Sequence, residues 1–206
     1  MRFSKLVCIT LYAFMWYACH EEKPISYSEA MARGRERDTT ITIGEGKMTY
    51  FNVFPIRTIV GAQLPSFETK MIDGSAINDN YFKGKISVIN FWFIGCHPCE
   101  AEIPGFNALV EKYQGQPVQF LAISRNSPDD INEFILRHPF HVDLIAFGDS
   151  LTRQTFLYKW GYPVTMVADQ NSKIIFATEG GKVDTTAVDE IENTLIPVID
   201  GALKKM

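Results

Sequence analysis

Cys96 and Cys99 stand three residues apart with His97-Pro98 between them, directly after the apolar run 86–93 and the pair Ile94-Gly95. The near-continuous apolar run predicts a buried central strand. Pro98 suits the first turn of a helix, where its missing N–H costs little. Two thiols then lie at the positive end of a helix dipole, which stabilises a thiolate and makes Cys96 a nucleophile. Cys99 is one turn away, close enough to close a disulfide with it. The pattern predicts a reversible dithiol switch, with Cys96 attacking a partner disulfide and Cys99 resolving the mixed disulfide. A fixed bridge and half a metal site are the alternatives. A bridge across so short a loop constrains the unfolded chain little, which favours the redox role.

His97 beside the nucleophile can stabilise the thiolate, and so the reduced form, which pushes the couple toward an oxidant. His138 and His141 could complete a zinc site with the cysteines, but the gap of 38 residues after Cys99 is far beyond zinc-finger spacing, and no metal is expected.

The chain has 206 residues, 46% of them hydrophobic, enough for one domain with extensions. Its formal charge is -4, a poor match to nucleic acid. Residues 1–18 have the form of a targeting segment. Arg2 and Lys5 precede an apolar run of thirteen, 6–18, which is too short for a permanent span. Without Arg2 and Lys5 the charge of -4 becomes -6. The run ends at Ala18-Cys19, which resembles a bacterial lipoprotein signal with Cys19 as the lipidated residue. Trp16 departs from that pattern. Cys8 is then discarded and Cys19 acylated, leaving Cys96 and Cys99 as the thiol pair of an exported domain, in a compartment where disulfides persist.

Residues 19–38 are polar and charged and are expected to be a solvated tether. Residues 39–58 hold two alternating runs around Gly44-Glu45-Gly46, which predict an N-terminal β-hairpin extension. From residue 59 to 206 the pattern is α/β. Strands are expected at 67–71, 86–93, 118–124, 144–147, 164–168 and 174–177. Helices are expected at 97–113, from Ser127 to about His138, at 150–160, and from Thr186, where Pro197 should kink or shorten the last one.

This order, with Cys-x-x-Cys at a strand–helix junction, resembles the thioredoxin fold: a central mixed sheet flanked by helices. Within it the chain is similar to the TlpA/ResA-like thiol–disulfide oxidoreductases. The matching residues are Trp92, Cys96-His97-Pro98-Cys99, Glu102-Ile103-Pro104 and Gly161-Tyr162-Pro163-Val164-Thr165, across roughly residues 60–200. The resemblance implies that Pro163 is a cis-proline beside the cysteines and offers backbone to a partner. It implies that Glu102 handles protons for Cys99, and that Trp92 and Tyr162 meet the partner at the rim. Where classical thioredoxins carry a buried Asp, this chain has Asn90, which leaves Glu102 as the proton acceptor.

The expected function is thiol–disulfide exchange with protein clients (apocytochrome c is one the resemblance suggests) in the periplasm or cell envelope. No organic cofactor is expected, and a membrane thiol carrier would supply electrons. The resemblance implies a reductant, while His97-Pro98 leaves oxidase or isomerase open. A binding module with a structural bridge and a metal-carrying relative are the rival classes.

Overall fold

The computed structural model describes residues 24–35 and 55–206. The expected signal at 1–18, the acylated Cys19 and the hairpin runs between Thr40 and Val53 lie outside these residues.

Helix α1 (Tyr27–Arg35) comes first, then a 3₁₀ turn (Ile56–Ile59). A small antiparallel pair, β1 (Thr69–Lys70) and β2 (Ala76–Ile77), and the short α2 (Asp79–Phe82) lead into the main sheet. The sheet is built from β3 (Ile86–Trp92), β4 (Val118–Ser124), β5 (Asp143–Ile145), β6 (Val164–Ala168) and β7 (Ile174–Glu179), in spatial order β5-β4-β3-β6-β7. The β3–β4 and β4–β5 pairs are parallel; β3–β6 and β6–β7 are antiparallel. Helices α3 (His97–Lys112), α4 (Pro128–Arg137) and α5 (Thr186–Leu203) complete the chain. This is the expected mixed sheet flanked by helices.

Both faces of β3 are covered, which is why its sequence is apolar throughout. Ile86, Val88 and Trp92 face a core shared with α3, α4 and α5. Ile89 and Phe91 face a second core, where Phe156 meets Tyr27, Phe67 and Phe91 edge-on at 4.9 to 5.7 Å. The expected start of α4 is sealed by a capping box between Ser127 and Asp130.

Four expectations need correction. The segment expected to be a solvated tether contains α1, and α1 is docked on the core. Tyr27, Ala30, Met31 and Gly34 recur at i, i+3, i+4 and i+7 and are all buried. That apolar stripe outweighs the polar average of the segment. The helix expected at 150–160 is only a π-helical turn at Leu151–Thr155. Leu157 then takes φ +50, which turns the chain out of the helix toward the Pro163 loop. Pro197 does not shorten α5, because Ile199 and Ala202 beyond it are buried along with Ile191 and Leu195 before it. Their burial offsets the lost backbone hydrogen bond. Ile56 and Ile59 are buried in the same core as the sheet, so the boundary drawn at residue 58 falls inside a packed turn.

Helices α3 and α5 approach closely at Gly105. A Cβ there would lie 3.2 Å from Ile191 Cβ and from the Val188 carbonyl. Gly105→Ala is therefore expected to destabilise by about 1–2 kcal/mol, overpacking exceeding the gain in helix propensity. A urea midpoint that rises instead would refute the close packing.

Candidate active site

Strand β3 ends at Trp92, and the chain turns through Gly95 at φ +90, a conformation that favours glycine. Two side chains hold this turn. Asn126 Oδ1 accepts from the Ile94 N–H at 2.9 Å, and Glu100 Oε1 accepts from the Gly95 N–H at 2.7 Å. Cys96 is the N-cap of α3, and His97 and Pro98 form its first turn. Cys96 and Cys99 are joined by a disulfide with Cα atoms 5.2 Å apart. Cys96 is 6% exposed and Cys99 3%. His97 is exposed and Pro98 half-buried.

Trp92, expected at the rim, is 1% exposed and packs on Phe134 and Phe140 at about 5.5 Å. It lies in the same buried cluster as the two cysteines rather than at the surface. Its neighbour Phe93 takes the rim position, half-buried. The Arg125 guanidinium lies 3.7 Å over the Phe93 ring, and Tyr162 meets that ring edge-on at 5.2 Å. Tyr162 also packs against both cores, including the cluster that contains the two cysteines.

The Tyr162–Pro163 bond is cis. The Pro163 carbonyl accepts from the Gly180 N–H at 2.9 Å, so it is committed to the sheet. Asn90 Nδ2 donates to Thr165 Oγ1 at 3.0 Å, so the position that carries Asp in thioredoxins is neutral and satisfied here.

Glu102 is 4% exposed and is the one buried charged residue type among the described residues. It lies one helical turn beyond Cys99 on α3. Its Oε2 has no hydrogen-bond partner there. Burial, and secondly the charge of Glu190, push its carboxyl up to about 8. Gly181 covers it. A Cβ on Gly181 would collide with Glu102 Oε1 and lie 3.3 Å from the Pro163 ring. Glu102 and Pro163 therefore meet through the Gly180-Gly181 crossover. Glu190 pairs with Lys182 at 3.5 Å.

Phe93, Glu100, Asn126, Arg125, Gly181 and Glu190 join the site beyond the residues expected from the sequence. Gly180-Gly181 was the one visible signal, because paired glycines mark a close backbone approach. The two histidines considered for metal lie elsewhere. His138 stacks on Phe134 at 4.7 Å, and His141 N–H donates to Asn107 Oδ1 at 2.8 Å.

A dithiol pair capping a helix, with a buried acid one turn on and a cis-proline loop alongside, is an arrangement for disulfide exchange. The AhpC/TSA family model matches residues 60–181. The chain belongs to the AhpC/TSA family. Within that family it is TlpA/ResA-like. It is 26% identical over 165 residues to the thiol–disulfide oxidoreductase ResA of Halalkalibacterium halodurans, covering 79% of this chain and 82% of that one. It is 26% identical over 162 residues to ResA of Geobacillus thermodenitrificans, covering 78% and 81%. Among solved structures it is similar to a thiol:disulfide interchange protein DsbE of Chlorobium tepidum, with TM-score 0.59 and 22% identity over 68% of this chain and 95% of that one. That likeness shows the thioredoxin-like fold. With the AhpC/TSA match, the ResA relatives and the Cys96–Cys99 disulfide together, the chain is a thiol–disulfide oxidoreductase.

Proposed function

We propose that this family member is an exported, envelope-anchored reductant that exchanges disulfides with protein clients through Cys96 and Cys99. The observation that carries this reading is the disulfide at the N-terminus of α3, with Cys96 the less buried of its two residues. In the reduced protein the Cys96 thiolate attacks a client disulfide, forms a mixed disulfide, and expels one client thiolate. Cys99 then attacks Cys96 Sγ, restores the intramolecular disulfide and releases the second client thiolate. The client gains two electrons and the protein loses two. A membrane dithiol carrier returns them, and no organic cofactor takes part. Glu102 gives a proton to Cys99 when the disulfide opens and takes it back when Cys99 attacks. Cys19, after removal of 1–18, holds the lipid. The resemblance supports the reducing direction, and the exposed His97 pulls the other way.

Redox titration in glutathione or dithiothreitol buffers, with alkylation and mass readout, tests the reading. A reversible two-electron transition near or below about -230 mV is expected for a reductant. A value above about -180 mV would assign oxidase or isomerase work. A pair that never equilibrates would leave a binding module with a fixed bridge.

A further inference from the structure

The rim beside Cys96 carries a cation as well as aromatic surface. Arg125 follows β4 and is exposed, at the C-terminal ends of parallel strands β3 and β4, where ligands of α/β sheets gather. The backbone on both sides of it is held. The Ser124 carbonyl accepts from Gly148 N–H at 2.7 Å, and the Asn126 carbonyl accepts from Phe147 N–H at 2.9 Å. Asn126 Oδ1 also holds the Ile94 N–H of the cysteine turn. Arg125 is thus carried on backbone tied to the turn that carries Cys96.

Its guanidinium lies 3.7 Å over the Phe93 ring, and a planar fork of N–H donors placed there suits a bidentate carboxylate. Among the described residues no ion pair reaches it. Of the charges that act on Tyr162 together with Arg125, Arg153 and Asp149 are bound to each other at 2.9 Å, and Glu100 on the cysteine turn accepts from Gly95 N–H. His97, next to Cys96 in the chain, is also exposed.

We propose that Arg125, stacked on Phe93 next to Tyr162, recognises clients whose disulfide is flanked by Asp or Glu. The proposal rests on the protein-client reading above and adds the chemistry of the client. The chain as a whole is acidic, at -4, so its general field repels such a client. A preference for acidic flanks must therefore come from a local cation.

The test uses the full-length reduced protein and three disulfide peptides that differ only in having Glu, Gln or Lys beside the cysteine. Second-order reduction rates are measured for wild type, Arg125→Ala and Arg125→Glu. Wild type is expected to favour the Glu peptide over the Lys peptide by about 5- to 10-fold, an effect on encounter that shrinks with salt. Arg125→Ala should bring the ratio toward one, and Arg125→Glu should invert it. A wild-type ratio near one, or a ratio unmoved in Arg125→Glu, overturns the assignment. Failure to reduce all three peptides, including the neutral one, overturns the client-exchange reading itself.

Discussion

Cys96→Ser is expected to abolish disulfide exchange, a loss of at least about 1,000-fold, because a serine hydroxyl supplies no thiolate at neutral pH. Cys99→Ser is expected to behave differently. It retains the first attack and lacks the second, so Cys96 should accumulate as a mixed disulfide with the client. Mass spectrometry of the intact protein after incubation with a disulfide peptide separates the two. The adduct should appear in Cys99→Ser and be missing in Cys96→Ser. The reverse pattern would exchange the two roles. The assignment rests on placement. Cys96 is the cap of α3, where the dipole is felt most, and it is 6% exposed against 3% for Cys99. Neither substitution should unfold the protein, because a bridge spanning three residues restricts the unfolded chain little.

Glu102→Gln is expected to change both stability and the pH profile. The carboxyl titrates near 8 in the fold against an ordinary 4.5. Between these values the folded state holds a proton that the unfolded state has released. Wild-type stability therefore falls as pH rises through this window and levels off above about 8. The full effect is bounded at roughly 5 kcal/mol, and local opening around Gly181 reduces it. Glutamine cannot ionise, so the variant should lack this slope and be the more stable protein at pH 9. Denaturant unfolding at pH 5, 7 and 9 checks this; parallel curves for the two proteins would show that Glu102 ionises freely in the fold.

Exchange should respond in the opposite sense. Near pH 7 Glu102 is mainly protonated, so it can give a proton to Cys99 as the disulfide opens. Glu102→Gln should slow reduction of the disulfide by about 10- to 100-fold and remove the limb of the pH–rate profile near 8. A slower enzyme with an unshifted profile would leave Glu102 a packing role only. Glu190 offers a second handle. Its charge is a secondary cause of the shift, so Glu190→Gln should move the same limb to lower pH.

Much of this protein was legible because its signals are local. A run that is apolar at every position declares a strand covered on both faces, and β3 is one. Cys-x-x-Cys with proline in a first turn, a Ser-Pro-Asp-Asp start and a Pro163 loop each depend on neighbours a few residues away. The stripe of Tyr27, Ala30, Met31 and Gly34 was equally local, but it is hidden in a segment whose average composition is polar; its spacing, rather than its composition, determines that it docks.

Other features were decided only when distant segments met. A strand buried on both faces gives no hint of which residue leaves the sheet at the rim, so Trp92 and Phe93 could not be told apart; packing on Phe134 and Phe140 took Trp92 inward. The acid at Glu102 was visible, but its burial depends on Gly181 and its charge neighbour on α5. The cysteine turn is held by Asn126, 32 residues beyond Ile94, and the Arg125 beside it reaches Phe93 through the same pairing of β3 with β4. The sequence by itself determined that two thiols share one helical turn, which favours a disulfide that closes and opens wherever the helix lies. Tertiary structure decided the protonation state of the acid and the chemistry of the rim, because desolvation and stacking depend on which segments the fold brings together.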